Sequence, residues 1–306
     1  MRASRLGCFL LLFVTQGAAL EAGPVVLATY NVENYGPTDR RIGDAYRRGY
    51  PKPESEKRAL RTAIETIRAD VLALQEMGGL AYLDELRHDL KAEGLDYPYC
   101  ALVEAEDAER HIALLSRLRL KTVVRHACIE FAYFGGKARV KRGLLEAVVS
   151  DKDGDFTVYV LHLKSHLTDR GDDPGAQVRR LGEAAAVRAL VRKRLSNGSP
   201  ARFVILGDFN DGRNSRTLRR LERFGTEAVA DCLSAADTRG ETWTAAFPGD
   251  GSYSEFDHIL VSPALMAGIA GGTARVYDGP ETAVASDHRP VLAKLIIRGP
   301  RAGVGQ

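Results

Sequence analysis

Short apolar runs that stop abruptly at polar residues recur along this chain, and they set its expected architecture. Val25–Tyr30, Asp70–Glu76, Phe156–Leu163 and Phe203–Leu206 are dominated by β-branched and aliphatic residues, the composition of buried strands. Tyr99–Val103, His111–Ser116, Lys121–Cys128, Leu144–Ser150, Phe256–Val261 and Val291–Ile297 read as further strands. Helical spacing over Lys57–Arg68, with Leu60, Ile64 and Ile67 on one face, predicts a helix. Leu80–Ala92, Pro174–Leu195 and Ser215–Phe224 follow the same rule. The Asp153-Gly154 step between two of the strands suits a hairpin turn. Pro37–Pro53, dense in Arg, Gly and Tyr, reads as a loop. It is either a solvated surface or a basic, aromatic-interleaved rim able to grip phosphate and stack bases. No repeat or long linker interrupts residues 24–298, so one domain is expected.

The polar residues at the strand ends are Asn31 and Glu33, Glu76, His162 and Lys164, Asp208 and Asn210, Asp257, and Asp287 with His288. Asn31 and Glu33, two apart, share a strand face. Any one of these is explained by a turn or a satisfied core polar group. Recurrence at separate strand ends instead points to a single site, since sheets of α/β proteins bind ligands beyond the carboxyl ends of their strands. Carboxylates, amides and histidines without cysteine favour Mg²⁺ or Mn²⁺, or Ca²⁺, over a structural zinc.

Composition adds the compartment. Of 306 residues, 45% are hydrophobic, enough for one large domain with a substantial core. Residues 1–22 combine a basic start (Arg2, Arg5), an apolar core over Leu6–Val14 too short to span a bilayer, and small residues at Gly17–Ala19. That is the pattern of a signal peptide, leaving a domain over residues 23–299 and a loose tail over 300–306, with secretion or a periplasmic location implied. Cleavage would take the formal charge from +3 to +2, a balance that neither demands nor excludes a polyanionic partner. Cys100, Cys128 and Cys232 would remain and permit one disulfide at most; Cys100 with Cys128 is the first pair to consider. The basic helix carrying Arg179, Arg180, Arg188, Arg192, Lys193 and Arg194 reads as a solvated outer face around an apolar seam.

The motifs Tyr30-Asn31-Val32-Glu33-Asn34, Leu74-Gln75-Glu76, Gly207-Asp208-Phe209-Asn210, Phe256-Asp257-His258 and Ser286-Asp287-His288-Arg289-Pro290 resemble, in type and order, those of the endonuclease/exonuclease/phosphatase superfamily. The resemblance implies an α/β fold, a four-layered sandwich of two mixed sheets packed face to face with helices outside and a cleft at one end. It also implies metal-dependent hydrolysis of phosphate esters by in-line attack of an activated water. By resemblance, His162, Asp208, Asn210, Asp257 and His288 are catalytic, and Asn31, Arg142 and Lys164 contact the substrate phosphate. Glu76, Glu33, Asn31 and Asp287 serve the metal, expected to be Mg²⁺ with Mn²⁺ or Ca²⁺ as alternatives. Asp257 would fix the tautomer of His288, and the base is either Asp208 or His288.

His162 stands where deoxyribonuclease-like and sphingomyelinase-like members carry histidine and abasic-site endonucleases carry tyrosine. Glu109-Arg110 resembles the deoxyribonuclease segment whose glutamate pairs with that histidine. His258 would support the site from behind, His166 would be a loop histidine, and Asp211 a turn or capping residue. The chain is thus expected to be an exported, monomeric Mg²⁺-dependent phosphodiesterase without a membrane anchor, a nuclease with nucleic acid as substrate. The alternative is an enzyme of lipid or small-molecule phosphate esters. A sphingomyelinase-like member would present an exposed apolar hairpin, and no such run is legible. A catalytically silent binding module is disfavoured by the completeness of the residue set.

Overall fold

The computed structural model describes residues 23–168, 170–195 and 201–297. The expected signal segment and C-terminal tail lie outside the described residues. In chain order the elements are β1 (Val25–Tyr35), β2 (Thr38–Ile42), β3 (Ala45–Tyr50), α1 (Glu54–Ile67), β4 (Val71–Met77) and α2 (Leu80–Ala92). Next come β5 (Tyr99–Val103), β6 (His111–Ser116), β7 (Arg119–His126), β8 (Glu130–Tyr133), β9 (Gly136–Arg139), β10 (Leu144–Asp151), β11 (Gly154–His162) and α3 (Gln177–Leu195). The second half continues with β12 (Phe203–Asp208), α4 (Arg216–Glu222), β13 (Arg223–Phe224), β14 (Glu227–Ala228), β15 (Asp231–Cys232), β16 (Ala235–Ala236), β17 (Ala245–Phe247) and β18 (Ser252–Ser254). It closes with β19 (Asp257–Val261), α5 (Pro263–Met266), β20 (Ala274–Val276), α6 (Thr282–Ala285) and β21 (Val291–Leu295).

Two mixed sheets dominate: a seven-stranded one in the order β16-β20-β21-β1-β4-β6-β5 and a six-stranded one in the order β15-β19-β12-β11-β10-β7. Period-two alternation sends successive residues of each strand to opposite faces, and in this fold both faces are covered. Leu27, Val71, Ala73 and Leu114 of the first sheet meet Leu145, Val158, Val160, Val204 and Leu206 of the second in an inner core. Tyr30, Leu72 and Leu74 turn outward beneath Leu60 and Ile64 of α1 and Leu83, Leu86 and Leu90 of α2. Tyr159, Leu161, Phe203 and Ile205 turn the other way beneath Val187 and Val191 of α3 and Leu218 of α4. The result is the four-layered α/β sandwich expected from the sequence. Uninterrupted apolar runs are what a strand covered on both sides requires.

The structure revises some readings. Pro37–Pro53 is an antiparallel hairpin, β2 with β3, hidden because neither strand has a buried face. Helix α1 starts earlier than the Lys57 reading, at Glu54, because Glu54 and Glu56 can occupy a first turn that favours acidic residues. The Cys100–Cys128 disulfide does not form: both thiols are free, as is that of Cys232. Cys100 pairs across to Leu115 within the first sheet, whereas Cys128 is exposed just beyond β7 of the second. Among the described residues, no helix is long and apolar enough to cross a membrane.

One glycine in β12 has no substitute. Gly207 sits at φ +151°, and a Cβ there would lie 2.0 Å from the Leu161 carbonyl oxygen on β11. Any side chain must push apart two strands that carry the site. Gly207→Ala is expected to destabilise the protein by about 3 kcal/mol or more, the scale of severe overpacking. A urea unfolding midpoint within error of the parent would contradict that close approach.

Candidate active site

Strand register places the site. His162 ends β11 opposite Asp208 on β12 in a parallel pair, and Asp208 lies opposite Asp257 on β19 in an antiparallel pair. Three residues distant in sequence therefore stand in one row across three neighbouring strands. From the other sheet, Asn31 on β1 donates its side-chain amide to Asp208 Oδ2 at 3.0 Å, so a single hydrogen bond joins the ends of both sheets. His288 completes the row: its Nδ1 is 2.7 Å from Asp257 Oδ2, and its Nε2 is 3.9 Å from Asp208 Oδ2. His162 Nε2 lies 3.3 Å from the same oxygen. Asp208 is thus flanked by two imidazoles, with its other oxygen accepting the Asn210 backbone N–H at 2.8 Å.

The two imidazoles are pushed in opposite directions. Burial alone would lower the pKa of both. At His288 the carboxylates of Asp257, Asp208 and Asp287 outweigh burial and hold it well above the usual histidine value. At His162 burial is reinforced by Arg142 and by His288, and its pKa falls well below the usual histidine value. Asp208 is pushed up, first by burial and then by the Asp257 carboxylate. Such divergent shifts among neighbouring groups are characteristic of sites that move protons.

A second acidic group adjoins this row. Glu33 Oε2 accepts the Asp287 N–H at 3.2 Å, and Glu76 Oε2 accepts the Asn34 N–H at 3.1 Å. Burial and then Asp287 raise the Glu33 carboxyl. Burial, Glu76 and Asp257 raise that of Asp287. Lys52 reaches Glu33 at 3.8 Å and Arg110 reaches Glu76 at 3.8 Å, too far to neutralise the group fully. Asp208, Asp257 and His288 each offer a ligand atom within 4.8 Å of one another, and Asp257 Oδ1 is buried without a partner. Crowded oxygen donors that raise one another's pKa, together with an orphaned carboxylate oxygen, suit a hard divalent cation. The clustered donors are those of Asp208, Asp257 and His288, with the expected ligands Glu33, Glu76 and Asp287 in the adjoining acidic group; a cation there would offset negative charge on a bound phosphate.

The backbone is bent to make these ends converge. Glu33 (φ 47°), Asn34 (φ 52°), Glu76 (φ 61°) and Asn210 (φ 50°) all adopt left-handed conformations, and the β1–β4 register shifts between Asn31 and Tyr35. Each such residue costs on the order of 1–3 kcal/mol, a strain that clusters at functional sites.

Not every expected residue faces the phosphate position. The Arg142 guanidinium is buried and held, with Nε donating to Asp107 Oδ2 at 2.9 Å and Nη1 to the Leu163 carbonyl at 3.1 Å. It braces the segment after β11. Lys164 Nζ donates to Ser165 O at 3.2 Å and to the Leu167 carbonyl, so it closes its own loop. Asn31 is engaged at both ends of its amide, since its oxygen accepts the Glu33 N–H at 3.1 Å. Asn210 donates to Leu163 O at 3.0 Å. Glu109 does not pair with His162. It is paired with Arg110 at 3.5 Å on the surface, and the buried carboxylate of that segment is Asp107.

His166 contacts the Asn210 carbonyl and His258 the Asp211 carbonyl, both behind the site. Asp211 accepts from Thr217, while Ser215 caps α4 by accepting the Leu218 N–H. Sequence reasoning gave Ser286 no role, although its motif was singled out, and missed Thr244. Ser286 Oγ donates to the Asn31 carbonyl and accepts the His288 N–H, and Thr244 Oγ1 accepts the Asp257 N–H. Hydroxyls that satisfy backbone groups at long range leave no local spacing signal.

The sequence model of the Endonuclease/Exonuclease/phosphatase family matches residues 28–288. The chain belongs to the endonuclease/exonuclease/phosphatase family. It is therefore an enzyme of the metal-dependent phosphoester hydrolase type. Solved structures similar to this member include an endonuclease/exonuclease/phosphatase from Bacteroides vulgatus, with TM-score 0.62 and 16% identity over 90% of this chain and 100% of that one. Sphingomyelinase C from Streptomyces griseocarneus matches with TM-score 0.62 and 16% identity over 90% and 100%. A doubly substituted beta toxin from Staphylococcus aureus with bound magnesium ions matches with TM-score 0.60 and 15% identity over 89% and 100%. At these identities the likeness is one of fold. No curated protein matches the chain in sequence.

Proposed function

We propose that this family member is an exported, Mg²⁺-dependent phosphodiesterase that acts as a nuclease on DNA or RNA. The observation that carries the substrate class is the β2–β3 hairpin. Arg40 donates to the Asn34 carbonyl at 2.6 Å, and Lys52, just past β3, donates to the Glu33 carbonyl at 3.1 Å. The hairpin is thereby tied to the acidic end of the site, with Arg41, Tyr46, Arg47 and Arg48 exposed on it. An extended polyanion can use such a rim beyond the scissile group; a small ester cannot. Magnesium bound to the beta toxin neighbour supports the choice of cation.

In this reading Asp208, whose proton affinity is raised and which Asn31 and Asn210 orient, accepts the proton of the attacking water. His288, charged through Asp257, neutralises a phosphoryl oxygen, and neutral His162 hydrogen-bonds the phosphate on the other side of Asp208. A Mg²⁺ held by the Glu33, Glu76 and Asp287 carboxylates would supply charge stabilisation.

A second reading has its own observation. An exposed hairpin does exist: β17 and β18 carry Phe247 at 37% and Tyr253 at 61% exposure, and Ala246 N–H bonds to the Asp287 carbonyl at 2.8 Å beside the site. The Phe247-Pro248-Gly249 segment was too short to register as an apolar run. A lipid phosphodiester is therefore the alternative, in keeping with the sphingomyelinase C neighbour. Purified protein with Mg²⁺ should nick plasmid DNA or degrade RNA, hydrolyse bis-p-nitrophenyl phosphate, and lose both activities in EDTA. Turnover of sphingomyelin or phospholipid vesicles without nucleic-acid cleavage would replace the nuclease reading by the lipid one. Export predicts recovery of the tagged chain, shortened at its N-terminus, outside the cytoplasm of the producing cell.

A further inference from the structure

A basic groove lies on the outer layer, away from the histidine row. Arg216, Arg219, Arg220 and Arg223 occupy positions i, i+3, i+4 and i+7 along α4 and its end, and all four are exposed. Residues so spaced share one helix face, and like charges there repel. From α3, Arg188 faces them: its Nη1 donates to the carbonyls of Arg220 at 3.0 Å and Arg223 at 2.9 Å. These five arginines, with Leu181 and Gly225, line a cavity of about 260 Å³.

The nearby carboxylates are engaged, one of them with Arg223 of the groove itself. Glu222 accepts the Cys232 N–H, Glu227 pairs with Arg192 at 2.8 Å, and Asp231 pairs with Arg223 at 3.4 Å. Among the described residues, no acid partners the side chains of Arg216, Arg219 or Arg220. Burial and then Arg220 and Arg192 depress the Arg188 guanidinium, as neighbouring positive charge does. An arrangement this repulsive fits a surface neutralised by an anion.

We propose that the α3–α4 arginine groove is a second nucleic-acid contact, which grips the sugar-phosphate backbone of the substrate strand beyond the cleaved linkage. At about 1.5 Å of rise per residue, the row from Arg216 to Arg223 runs about 10 Å, longer than one phosphate, so it suits an anion that repeats. In sequence, α4 follows the Asp208–Asn210 motif by a short connection, Asp211–Ser215. The proposal rests on the nuclease reading for its occupant.

The test uses a variant with Arg216→Ser, Arg219→Ser and Arg220→Ser, and a second with Lys at the same positions, both compared with the parent by thermal unfolding. Binding of a fluorescent 30-base-pair duplex is followed by anisotropy in EDTA across a salt series. Each lost phosphate contact should reduce the slope of log K against log salt by about 0.9. The serine variant is thus expected to lose about 2–3 units of slope and to raise KM on polymeric DNA at least tenfold. Hydrolysis of bis-p-nitrophenyl phosphate should be unchanged, and the lysine variant should keep the parental slope.

An unchanged slope in the serine variant overturns the groove even if DNA is cleaved. Arginine-dependent duplex binding without cleavage of any nucleic acid removes the nuclease reading and leaves the groove standing. Loss of binding to phosphatidylserine vesicles with duplex binding intact would assign the groove to a membrane surface and sink the proposal.

Discussion

His288→Ala is expected to lower kcat on any diester substrate by about 10³-fold, within the range for removing a positioned proton-handling group. The reason is the charge arrangement. His288 is 7% exposed and stands between two buried carboxylates, Asp257 at 2.7 Å and Asp208 at 3.9 Å. Its removal takes away the group that neutralises phosphate. It also leaves Asp208 and Asp257 facing each other without a cation between them, so the protonation of Asp208 rises further and its capacity as a base falls. Asp257→Asn should give a smaller loss, about 10²-fold, because the imidazole remains but is no longer held charged and oriented. Circular dichroism and the unfolding midpoint establish that each variant is folded. Parental kcat in a folded His288→Ala protein would place the chemistry elsewhere in the molecule.

The second large effect concerns Glu76. Glu76→Ala should reduce turnover by about 10²-fold or more at millimolar Mg²⁺ and raise the Mg²⁺ concentration for half-activation at least tenfold, the scale on which metal-site residues act. A change in kcat with no change in Mg²⁺ dependence would show that Glu76 does not serve the cation.

Glu76 also carries a separate, opposite expectation. It holds a left-handed φ of 61°, and its carboxylate adds to the crowding that raises Asp287. Glu76→Gly relieves the backbone and the repulsion together. In EDTA it should unfold at higher urea than the parent while being as inactive as the alanine variant. Stability lost to the geometry of a site is then recovered when the site is given up.

Much of the fold was legible because both faces of its central strands are covered. A strand such as Phe203–Asp208 must be apolar at every position, and Phe203 and Ile205 facing α3 while Val204 and Leu206 face the other sheet give one unbroken run. Its polar ending is then conspicuous, which is how Asp208 and Asn210 come into view. Elements that bury little were not legible. The β2–β3 and β8–β9 hairpins are mostly exposed, and none of their residues is fully buried, so no strong apolar run marks them.

At the site, sequence identified the chemistry-bearing residues but misjudged what some of them touch. Arg142 and Lys164 were expected to reach phosphate because they follow the motif in type. Their guanidinium and ammonium groups instead satisfy Asp107 and loop carbonyls that only the folded chain brings within reach.

From the sequence alone came the periodicity, the positions where apolar runs end in Asn, Glu, Asp and His, and the motif order that names the family. These are local properties of the chain, set by side-chain chemistry and by the period of a strand. Tertiary structure decided the register that puts His162, Asp208 and Asp257 in one row, the Asn31 bond that joins the two sheets, and the opposite directions in which the proton affinities of His162 and His288 are pushed. It also set Arg188 of α3 against the arginine row of α4. All of these depend on distances between residues remote in the chain and on burial that removes water from between their charges. Electrostatic interactions strengthen as water leaves, so only the packed sheets determine which of these groups hold protons.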